Sequence, residues 1–517
     1  MNMHLRELAQ ASEVLLNRFQ ADKTKPLYHF TPPIGSLRAW DPNGAFYAHG
    51  RYHLMFLCDR PQGGVYWGHR SSVDLVHWFD HPDALGSPDP WEYCSGGVFV
   101  DEDETAYLIF WKLHKSEGQV DSSEIKIARS ADWHYEIWEE WEEPVLFSSQ
   151  NGIAEIALPD GSIVLSGAAD PSNIWKKGGQ YYVQMGNLLV LEKYGRGEDA
   201  PKHLRGDWAD LYRSRDLRHW EYVHRFYQRA ADNHWTSEIE DCMCPSFFPL
   251  AAREEGGAPS GDYLQLFLAH SNGAQYYVGN YVQDQDIFCP KTHGRFAWPA
   301  FAPEAMLAPD GRQILWIWLL DTPPHTVRNY AWKGAYCLPR NVWAGEDHTL
   351  RMAPVRELEC LRHNPQKAEP VTITDGYREL SVHNGMCCEL KLRVKPGKGV
   401  MRFGVSVRAA EDRSEETLLF VDRIERRLVF DAVRCGSNIP EFQTTVASPL
   451  ETAEADSVEL RIFIDYSVVE VFADQRAAIA KSTRPQREDS RHIFLFSEGG
   501  PSSFEGEIWE MMPSNPY

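Results

Sequence analysis

From position 28 onward, apolar and other β-forming residues are concentrated in short runs, and turn residues interrupt these runs every 8–15 positions. Representative runs are 52–57, 97–100, 106–110 and 180–184. Short β-rich runs between turn residues predict β-strands. No stretch between positions 28 and 351 keeps a helical period, so this part is predicted to be all-β. By contrast, residues from about 3 to 20 have apolar side chains at helical spacing and predict one amphipathic helix in an N-terminal lead-in, 1–27.

A seven-residue pattern recurs within this all-β part. Ser-Val-Asp-Leu-Val-His-Trp at 72–78 returns as Ser-Arg-Asp-Leu-Arg-His-Trp at 214–220, and a degraded copy surrounds Asp132. The aspartates of the three copies, Asp74, Asp132 and Asp216, lie 58 and 84 residues apart. A four-stranded sheet with its loops needs about that length, so the repeat predicts the blades of a β-propeller. Because three copies cannot share one active centre, the repeated aspartates are predicted to be turn residues.

The last third of the chain is a second all-β region. Segment 354–370, which includes His-Asn-Pro-Gln at 363–366, is predicted to be a linker. Beyond it, runs such as 458–464 alternate cleanly over the length of a strand, which is typical of a β-sandwich and predicts one over 371–517. Glu470 stands between two valines and is predicted to lie on the surface of that sandwich.

Charge and composition narrow the range of partners. The 517 residues include 52 Lys plus Arg against 74 Asp plus Glu, which gives a net charge of −22. Such a chain repels phosphate backbones and anionic lipid, so neither nucleic acid nor a membrane is an expected partner. The first residues contain no apolar targeting stretch, and a cytoplasmic protein with ten reduced cysteines is expected. The cysteines lack C-x-x-C spacing, and neither a metal site nor a cofactor is expected.

Three acid-bearing turns in the propeller region carry the candidate chemistry. They are Trp-Asp-Pro-Asn-Gly around Asp41, Ala-Asp-Pro-Ser-Asn around Asp170 and Glu-Ile-Glu-Asp-Cys around Glu240. Pro fixes φ, and Asn and Gly accept left-handed backbone angles, so Asp41 is predicted to head a rigid turn. Turns from separate blades of a propeller meet near its axis, and glycoside cleavage needs a nucleophilic carboxylate close to a protonated acid. The apolar neighbours of Glu240 are expected to raise its pKa.

Together these motifs resemble those of glycoside hydrolase family 32, the invertase, levanase and inulinase family. Its signatures are Trp-Met-Asn-Asp-Pro-Asn-Gly, Phe-Ser-Gly-Ser, Arg-Asp-Pro and Glu-Cys-Pro. The similar stretches here are the turn at 40–44, Tyr-Cys-Ser-Gly-Gly at 93–97, Ala-Asp-Pro at 169–171, Glu-Asp-Cys-Met-Cys-Pro at 240–245 and, for the family's C-terminal sandwich, Leu-Arg-Ile-Phe-Ile-Asp-Tyr at 460–466.

The resemblance covers about residues 28–510 and implies a five-bladed β-propeller catalytic domain over 28–353. Position by position, it implies Asp41 as nucleophile, Asp170 as transition-state stabiliser and Glu240 as general acid/base. In the implied retaining mechanism Asp41 forms a fructosyl ester, which is then hydrolysed by water that the acid/base activates. The predicted substrate-binding residues are Trp40, Asn43, Trp67, Cys94, Ser95 and Trp298.

The chain departs from the family pattern at several of these motifs. Two extra residues separate Glu240 and Asp241 from the following Cys-Pro, so Asp241 competes with Glu240 for the role of the acid. Ala169 replaces the Arg of Arg-Asp-Pro, which removes a charge-assisted hydrogen-bond donor to the sugar. The Met-Asn before the nucleophile is missing, and Trp40 adjoins Asp41 directly. These changes leave the specificity for fructose open.

The expected function is the release of fructose from sucrose or small fructo-oligosaccharides by a monomer or homodimer. A fructosyltransferase and another furanosidase, such as an arabinofuranosidase, are alternatives within the same class. An inactive carbohydrate-binding propeller is the alternative from another class, because the Arg and the Asn are lost. Glu304 is a further acid of the propeller region and is expected to be structural.

Overall fold

The computed structural model describes residues 22–32, 38–60, 63–87, 91–116, 119–148, 152–229, 234–320, 334–437 and 439–514. The helix predicted over about 3–20 lies outside them. Regular structure in the described residues is almost entirely β-strand, which confirms the all-β prediction. The helical elements there are short: Leu188–Val190 (α), Leu191–Gly195 (π) and the 3-10 turns Lys202–Leu204, Arg356–Leu361, Pro440–Phe442 and Glu451–Glu454.

In the N-terminal part, the described residues form successive antiparallel sheets of four or five strands and one two-stranded sheet. The first sheet contains Arg38–Ala48 (β1), Arg51–Asp59 (β2), Val65–Ser72 (β3) and Trp78–Gly86 (β4). The second contains Trp91–Val100 (β5), Ala106–Ser116 (β6), Gln119–Ser130 (β7), Glu139–Glu140 (β8) and Leu146–Ser148 (β9). The two-stranded sheet is Ile153–Ala157 (β10) and Ile163–Gly167 (β11). Trp175–Lys177 (β12), Gln180–Met185 (β13), Trp208–Ser214 (β14) and Trp220–Gln228 (β15) form the next sheet.

Two further sheets complete this part. One consists of Met243–Ala251 (β16), Pro259–Ala269 (β17), Gly273–Val282 (β18) and Ile287–Arg295 (β19), and the other of Ala300–Leu307 (β20), Gln313–Leu319 (β21), Ala335–Tyr336 (β22), Arg340–Ala344 (β23) and Leu350–Pro354 (β24). First strands of different sheets contact one another: β1 packs against β5 and β20, and β16 packs against β20. Up-and-down sheets whose first strands converge are the architecture of a β-propeller.

The repeated Ser-x-Asp pattern forms the turn between the third and fourth strands of a sheet. In the first sheet Asp74 accepts a hydrogen bond from Ser72 Oγ at 3.0 Å and lies 2.8 Å from His77 Nδ1. Asp216 makes the equivalent contacts with Ser214 and His219 at 3.2 and 2.7 Å. These contacts stay within each turn, so the aspartates have the structural role that the repeat predicts.

The C-terminal part is a sandwich of two six-stranded antiparallel sheets. In sheet order, one contains Arg362–Ile373 (β25), Ser502–Met511 (β36), Cys387–Pro396 (β27), Val458–Asp465 (β32), Val468–Ala473 (β33) and Ala477–Ser482 (β34). The other contains Gly376–Glu379 (β26), His492–Glu498 (β35), Arg402–Ala409 (β28), Thr417–Asp422 (β29), Arg427–Asp431 (β30) and Thr445–Pro449 (β31). Strand β25 starts inside the predicted linker 354–370, so the linker prediction is corrected from position 362 onward.

A buried network of charged groups joins the propeller to the sandwich. Glu470, on β33, accepts hydrogen bonds from Arg340 Nε and Nη2 at 3.0 and 2.8 Å and from the Leu338 N–H at 3.0 Å. Asp465, at the end of β32, lies 2.9 Å from His29 Nδ1 and also accepts the His29 N–H at 2.8 Å. Both carboxylates are fully buried. The expectation that Glu470 lies on the surface is therefore wrong, because this face of the sandwich packs against the propeller.

Candidate active site

Asp41 and Asp170 lie beside the same thiol, that of Cys244. Its Sγ is 3.3 Å from Asp170 Oδ2 and 3.6 Å from Asp41 Oδ2, and the Cys244 N–H donates to Asp170 Oδ2 at 3.3 Å. Ser95 Oγ donates to Asp41 Oδ2 at 2.6 Å. These residues come from β1, β5, β16 and the turn before β12. The convergence of the sheets thus brings together two acids that are 129 residues apart in the sequence.

Local backbone geometry directs these side chains. The pairing of β1 with β2 shifts register next to Asp41, and such bulges re-aim side chains. Asp170 and Cys244 have positive φ angles of 35° and 45°, in the left-handed region that few non-glycine residues adopt and that is enriched at turns and functional sites. Gly44, in the turn after Asp41, has a φ of 50°, and a Cβ there would lie 2.4 Å from Val98 Cγ2. Only glycine fits at that position.

The two acids experience different electrostatic environments. Burial, together with the charge of Asp41, raises the pKa of Asp170 to about 7. Burial also raises the pKa of Asp41, but the hydrogen bonds from Ser95 and Cys244 oppose that shift. The short Ser95 bond therefore favours the ionised form of Asp41, while Asp170 is the member of the pair that retains a proton near neutral pH. A carboxylate kept ionised within protein is suited to nucleophilic attack.

Glu304 lies behind the turn of Asp41. Its carboxyl group accepts the Ala45 N–H at 2.9 Å and Ser246 Oγ at 3.1 Å. Burial raises its pKa to about 8, so the side chain is neutral at pH 7. These contacts with β1 and β16 support the structural role expected for Glu304.

Replacing Glu304 by Gln is expected to stabilise the protein increasingly as the pH rises. When the pKa of a carboxyl group is higher in the folded protein than in the unfolded chain, the free energy of unfolding falls as the pH rises between the two pKa values. Here that range is from about pH 4.5 to about pH 8. The amide stays neutral and keeps both hydrogen bonds. Urea unfolding at pH 5, 6, 7 and 8 measures the difference between Glu304→Gln and the native chain. A difference that does not grow with pH contradicts the buried neutral acid.

Glu240 is held away from this pair by a separate set of hydrogen bonds. Arg295 donates to its two oxygens at 2.7 and 2.9 Å, Gln275 Nε2 donates at 2.7 Å and the Ser237 N–H donates at 2.8 Å. Burial opposes ionisation, but the bonds from Arg295, Ser237 and Gln275 outweigh it and lower the Glu240 pKa to about 2. The expectation of a raised pKa for Glu240 is therefore wrong, because its neighbours are hydrogen-bond donors as well as apolar groups.

Asp241 is directed toward a histidine that the sequence analysis did not identify. Its Oδ2 lies 2.7 Å from His270 Nδ1, and its Oδ1 accepts the His270 N–H at 3.0 Å. The Asp241 side chain is fully buried, whereas that of His270 is 45% exposed. Burial lowers the pKa of His270, but Asp241 first, and then Asp170 and Asp41, raise it overall. The one signal in the sequence is the position of His270 immediately after the largely apolar run 263–269, which is the C-terminal part of β17.

Two motif positions that are polar in the family are apolar here, and they share one cluster. Cys244 and Pro245 occupy the end of the third acid motif, and the residue directly before them is Met243. Met243 and Ala169 are both buried in an apolar cluster with Leu268. Ala169 thus stands where the Arg-Asp-Pro motif has its arginine, and Met243 stands where the Glu-Cys-Pro motif has its glutamate.

The predicted substrate-binding residues divide into three kinds. Trp67 is fully buried, and its Nε1 donates to the Cys94 carbonyl at 3.0 Å. The prediction that Trp67 contacts sugar is therefore corrected, because an indole without exposed surface belongs to the protein core. Ser95 and Asn43 are buried and position the Asp41 turn, since Asn43 Nδ2 donates to the Asp41 carbonyl at 3.3 Å and Ser95 donates to its carboxylate. Cys94, Trp40 and Trp298 remain partly exposed.

Aromatic rings form a continuous wall from Trp40, which adjoins Asp41 in the sequence, to the exposed Trp298. Trp40 lies 6.2 Å from Trp318, Trp318 lies 5.7 Å from Phe301, and Phe301 lies 6.2 Å from Trp298 and 6.1 Å from His270, measured between ring centroids. One face of Trp40 is covered by the Arg38 guanidinium at 3.6 Å. Trp298 is 45% exposed and is therefore the ring of this wall most available for stacking on a sugar.

Two carboxylic acids at the convergence of propeller sheets, next to an aromatic wall, define the class of protein as a glycosidase. The chain belongs to family 32 of the glycosyl hydrolases: residues 29–354 match the N-terminal domain of the family and residues 357–510 match its C-terminal domain. The resemblance inferred from the motifs is thereby confirmed.

Relatives and solved structures extend over nearly the whole chain. It is 28% identical to a raffinose invertase of Escherichia coli, over 97% of this chain and 98% of the relative. It is 27% identical to a sucrose-6-phosphate hydrolase of Zymomonas mobilis, over 96% and 94%. The fold is similar to that of fructan 1-exohydrolase IIa from Cichorium intybus, with a TM-score of 0.79 at 18% identity, covering 96% of this chain and 98% of the other. No helix in the described ranges is long and apolar enough to cross a membrane.

Proposed function

We propose that this chain is a retaining β-fructofuranosidase that releases fructose from sucrose or small fructo-oligosaccharides. The observation that carries the proposal is the pair Asp41 and Asp170, which share the Cys244 thiol while Ser95 hydrogen-bonds to one of them. The names of the relatives, an invertase and sucrose-6-phosphate hydrolases, support a small fructoside as substrate.

In this proposal Asp41 is the nucleophile and Asp170 stabilises the transition state. Asp41 attacks the anomeric carbon of the fructosyl unit and forms an ester, while Asp170 binds hydroxyl groups of the same ring. The five sheets of four or five strands are the blades of a five-bladed propeller that places these acids near its axis. The proposed domain division is a catalytic propeller over 28–353 followed by a sandwich that includes the strand starting at position 362. The family matches over 29–354 and 357–510 support a division near position 355.

The acid/base is the role for which the sequence offered Glu240 and Asp241 as alternatives. Glu240 is ionised and bound by Arg295, which removes the proton that a general acid must give. Asp241 is buried behind His270. The hydrogen bonds of both residues therefore favour positioning roles over direct proton donation.

The aromatic wall is proposed to bind the part of the substrate that leaves. Trp298→Ala is expected to raise KM for the trisaccharide 1-kestose about tenfold and to change kcat much less, because stacking of this kind holds substrate and transition state alike. Steady-state kinetics measure the two constants. Trp133→Ala is a matched control, since that indole is 64% exposed and stacks on His49 at the other end of β1. An unchanged KM in Trp298→Ala would remove Trp298 from the binding site.

Product analysis tests the proposed function. The protein is incubated with sucrose, raffinose, 1-kestose and 4-nitrophenyl α-arabinofuranoside, with methanol as a competing acceptor. Release of fructose together with methyl β-fructofuranoside supports a retaining fructosidase, whereas the α-anomer contradicts retention. Predominant fructosyl transfer to sugar supports the transferase alternative, and cleavage of the arabinoside alone supports the other furanosidase. Binding of sugar without products would support an inactive carbohydrate-binding propeller, which the apolar Ala169–Met243 cluster favours.

We also propose a cytoplasmic location and a monomer or homodimer without cofactor. All ten cysteines are free, which is typical of a reducing compartment.

A further inference from the structure

We propose that His270, held by Asp241, is the general acid/base of this enzyme in place of a carboxylic acid. The inference rests on the proposed function, because it names the proton donor of that same reaction. It arises from three observations: an ordered His–Asp pair next to the paired acids, the hydrogen bonds that occupy Glu240, and methionine at the acid position of the third motif.

His270 has the placement that the role requires. It follows β17 directly and lies against Phe301 of the aromatic wall, 6.1 Å between ring centroids. Asp170 and Asp41 are both close enough to act electrostatically on its ring. Within the described ranges, Nε2 has no hydrogen-bond partner, and the side chain is 45% exposed. The reactive nitrogen is therefore open to a substrate bound between the two acids and the wall.

Asp241 fixes the proton arrangement of that ring. An ionised carboxylate only accepts hydrogen bonds, so at 2.7 Å from Asp241 the Nδ1 atom of His270 carries a proton and donates it. The second proton of the imidazolium is then on Nε2, which faces away from Asp241. Because Asp241, Asp170 and Asp41 all favour the charged ring, the protonated form persists to a higher pH than in free histidine.

The proposed reaction needs only Asp41, His270, the substrate and water. Asp41 Oδ bonds to the anomeric carbon as the bond from that carbon to the glycosidic oxygen breaks, and the electron pair leaves with the oxygen. The oxygen takes the Nε2 proton, which gives a neutral imidazole, the leaving alcohol and a fructosyl ester on Asp41. In the second half, Nε2 takes a proton from water while the water oxygen attacks the anomeric carbon and displaces Asp41. Fructose leaves, and the carboxylate and imidazolium are restored.

The experiment compares His270→Gln with the native enzyme on two substrates that differ in their leaving group. The leaving group of sucrose is glucose, whose oxygen would depart as a poor alkoxide and therefore needs the proton. The leaving group of 4-nitrophenyl β-fructofuranoside is 4-nitrophenolate, which is stable without it. We expect kcat/KM for sucrose to fall by about 10³-fold and that for the nitrophenyl substrate by less than about tenfold. The alkaline limb of the native pH profile of kcat/KM is expected to disappear in His270→Gln.

Two further variants separate a chemical role of His270 from a structural one. His348→Gln is the matched control, because His348 makes the same kind of contact with Asp262 at 2.8 Å on an exposed surface, and both activities are expected to be unchanged. Asp241→Asn removes the charge behind the ring but keeps its shape. Because Asp241 raises the pKa of His270, Asp241→Asn is expected to move the alkaline limb of kcat/KM to lower pH. A loss of order in the turn alone would not produce that shift.

The outcomes separate failure of this inference from failure of the proposed function. If the native protein cleaves both substrates and His270→Gln keeps both the substrate ratio and the alkaline limb, His270 is not the acid/base and the proposed function stands. The same conclusion follows if Asp241→Asn leaves the alkaline limb in place. If the native protein cleaves neither β-fructofuranoside, the proposed function itself is overturned, and the role of His270 with it.

Discussion

Asp41→Asn is expected to lower kcat for sucrose by about 10⁴-fold or more, with little change in melting temperature. The amide has the shape of the acid and can still accept the Ser95 hydrogen bond, but it has no charge with which to attack the anomeric carbon. Loss of the negative charge beside Asp170 also relieves a like-charge interaction, so the folded state is not expected to suffer. Single-turnover kinetics on sucrose and on the nitrophenyl fructoside measure the effect, which should be severe for both substrates.

Asp216→Asn provides the comparison for that variant. Asp216 belongs to the repeated turn pattern, and its hydrogen bonds to described residues are with Ser214, Arg218 and His219 of the same turn, so its replacement should leave kcat unchanged. Turnover of Asp41→Asn close to that of the native enzyme would show that another group attacks the sugar.

Glu470→Ala is expected to lower the free energy of unfolding by about 3–5 kcal/mol. The substitution leaves the Arg340 guanidinium buried without its carboxylate, and it also removes the acceptor of the Leu338 N–H at the junction of the two domains. Urea unfolding followed by tryptophan fluorescence measures the loss. Unfolding of the sandwich and of the propeller should shift together, since the pair spans both.

A double replacement tests whether the cost arises from the unpaired charge. Arg340→Met combined with Glu470→Leu removes both charges and should recover most of the stability that Glu470→Ala loses. Glu139→Ala breaks an exposed pair with Arg129 and should have little effect. A loss of stability in Glu470→Ala no larger than in Glu139→Ala would show that this network does not hold the domains together.

The all-β fold and the turns that carry Asp41 and Asp170 could be predicted from the sequence because their signals are local. Short β-rich runs between turn residues specify strands, and the repeated turn around Asp74 and Asp216 marks equivalent positions in two sheets. The Pro-Asn-Gly sequence after Asp41 predicts a turn, and the structure has a positive φ at Gly44 and a β-bulge next to Asp41. Such features depend on few residues, and those residues are adjacent in the chain.

The environment of Glu240 could not be predicted because its partners are distant in sequence. The neighbours along the chain are apolar and suggested a raised pKa, but Arg295, on another strand, determines the charge state instead. The same limitation hid the link between Asp241 and His270, which are 29 residues apart. Glu470 shows the corresponding limit for packing: alternation identifies the face of a strand, but not whether another domain covers that face.

The central claim, covalent attack by Asp41, is tested most directly by trapping the ester. Without its acid/base the enzyme should form the intermediate from 4-nitrophenyl β-fructofuranoside and hydrolyse it slowly, so rapid quenching of His270→Gln followed by peptide mass spectrometry is the measurement. We expect the added mass of one anhydrofructose unit on the peptide that contains Asp41, and its absence when Asp41→Asn is introduced into the same variant. Release of nitrophenol in His270→Gln with no adduct at Asp41, or with the adduct on a different acid, would contradict it.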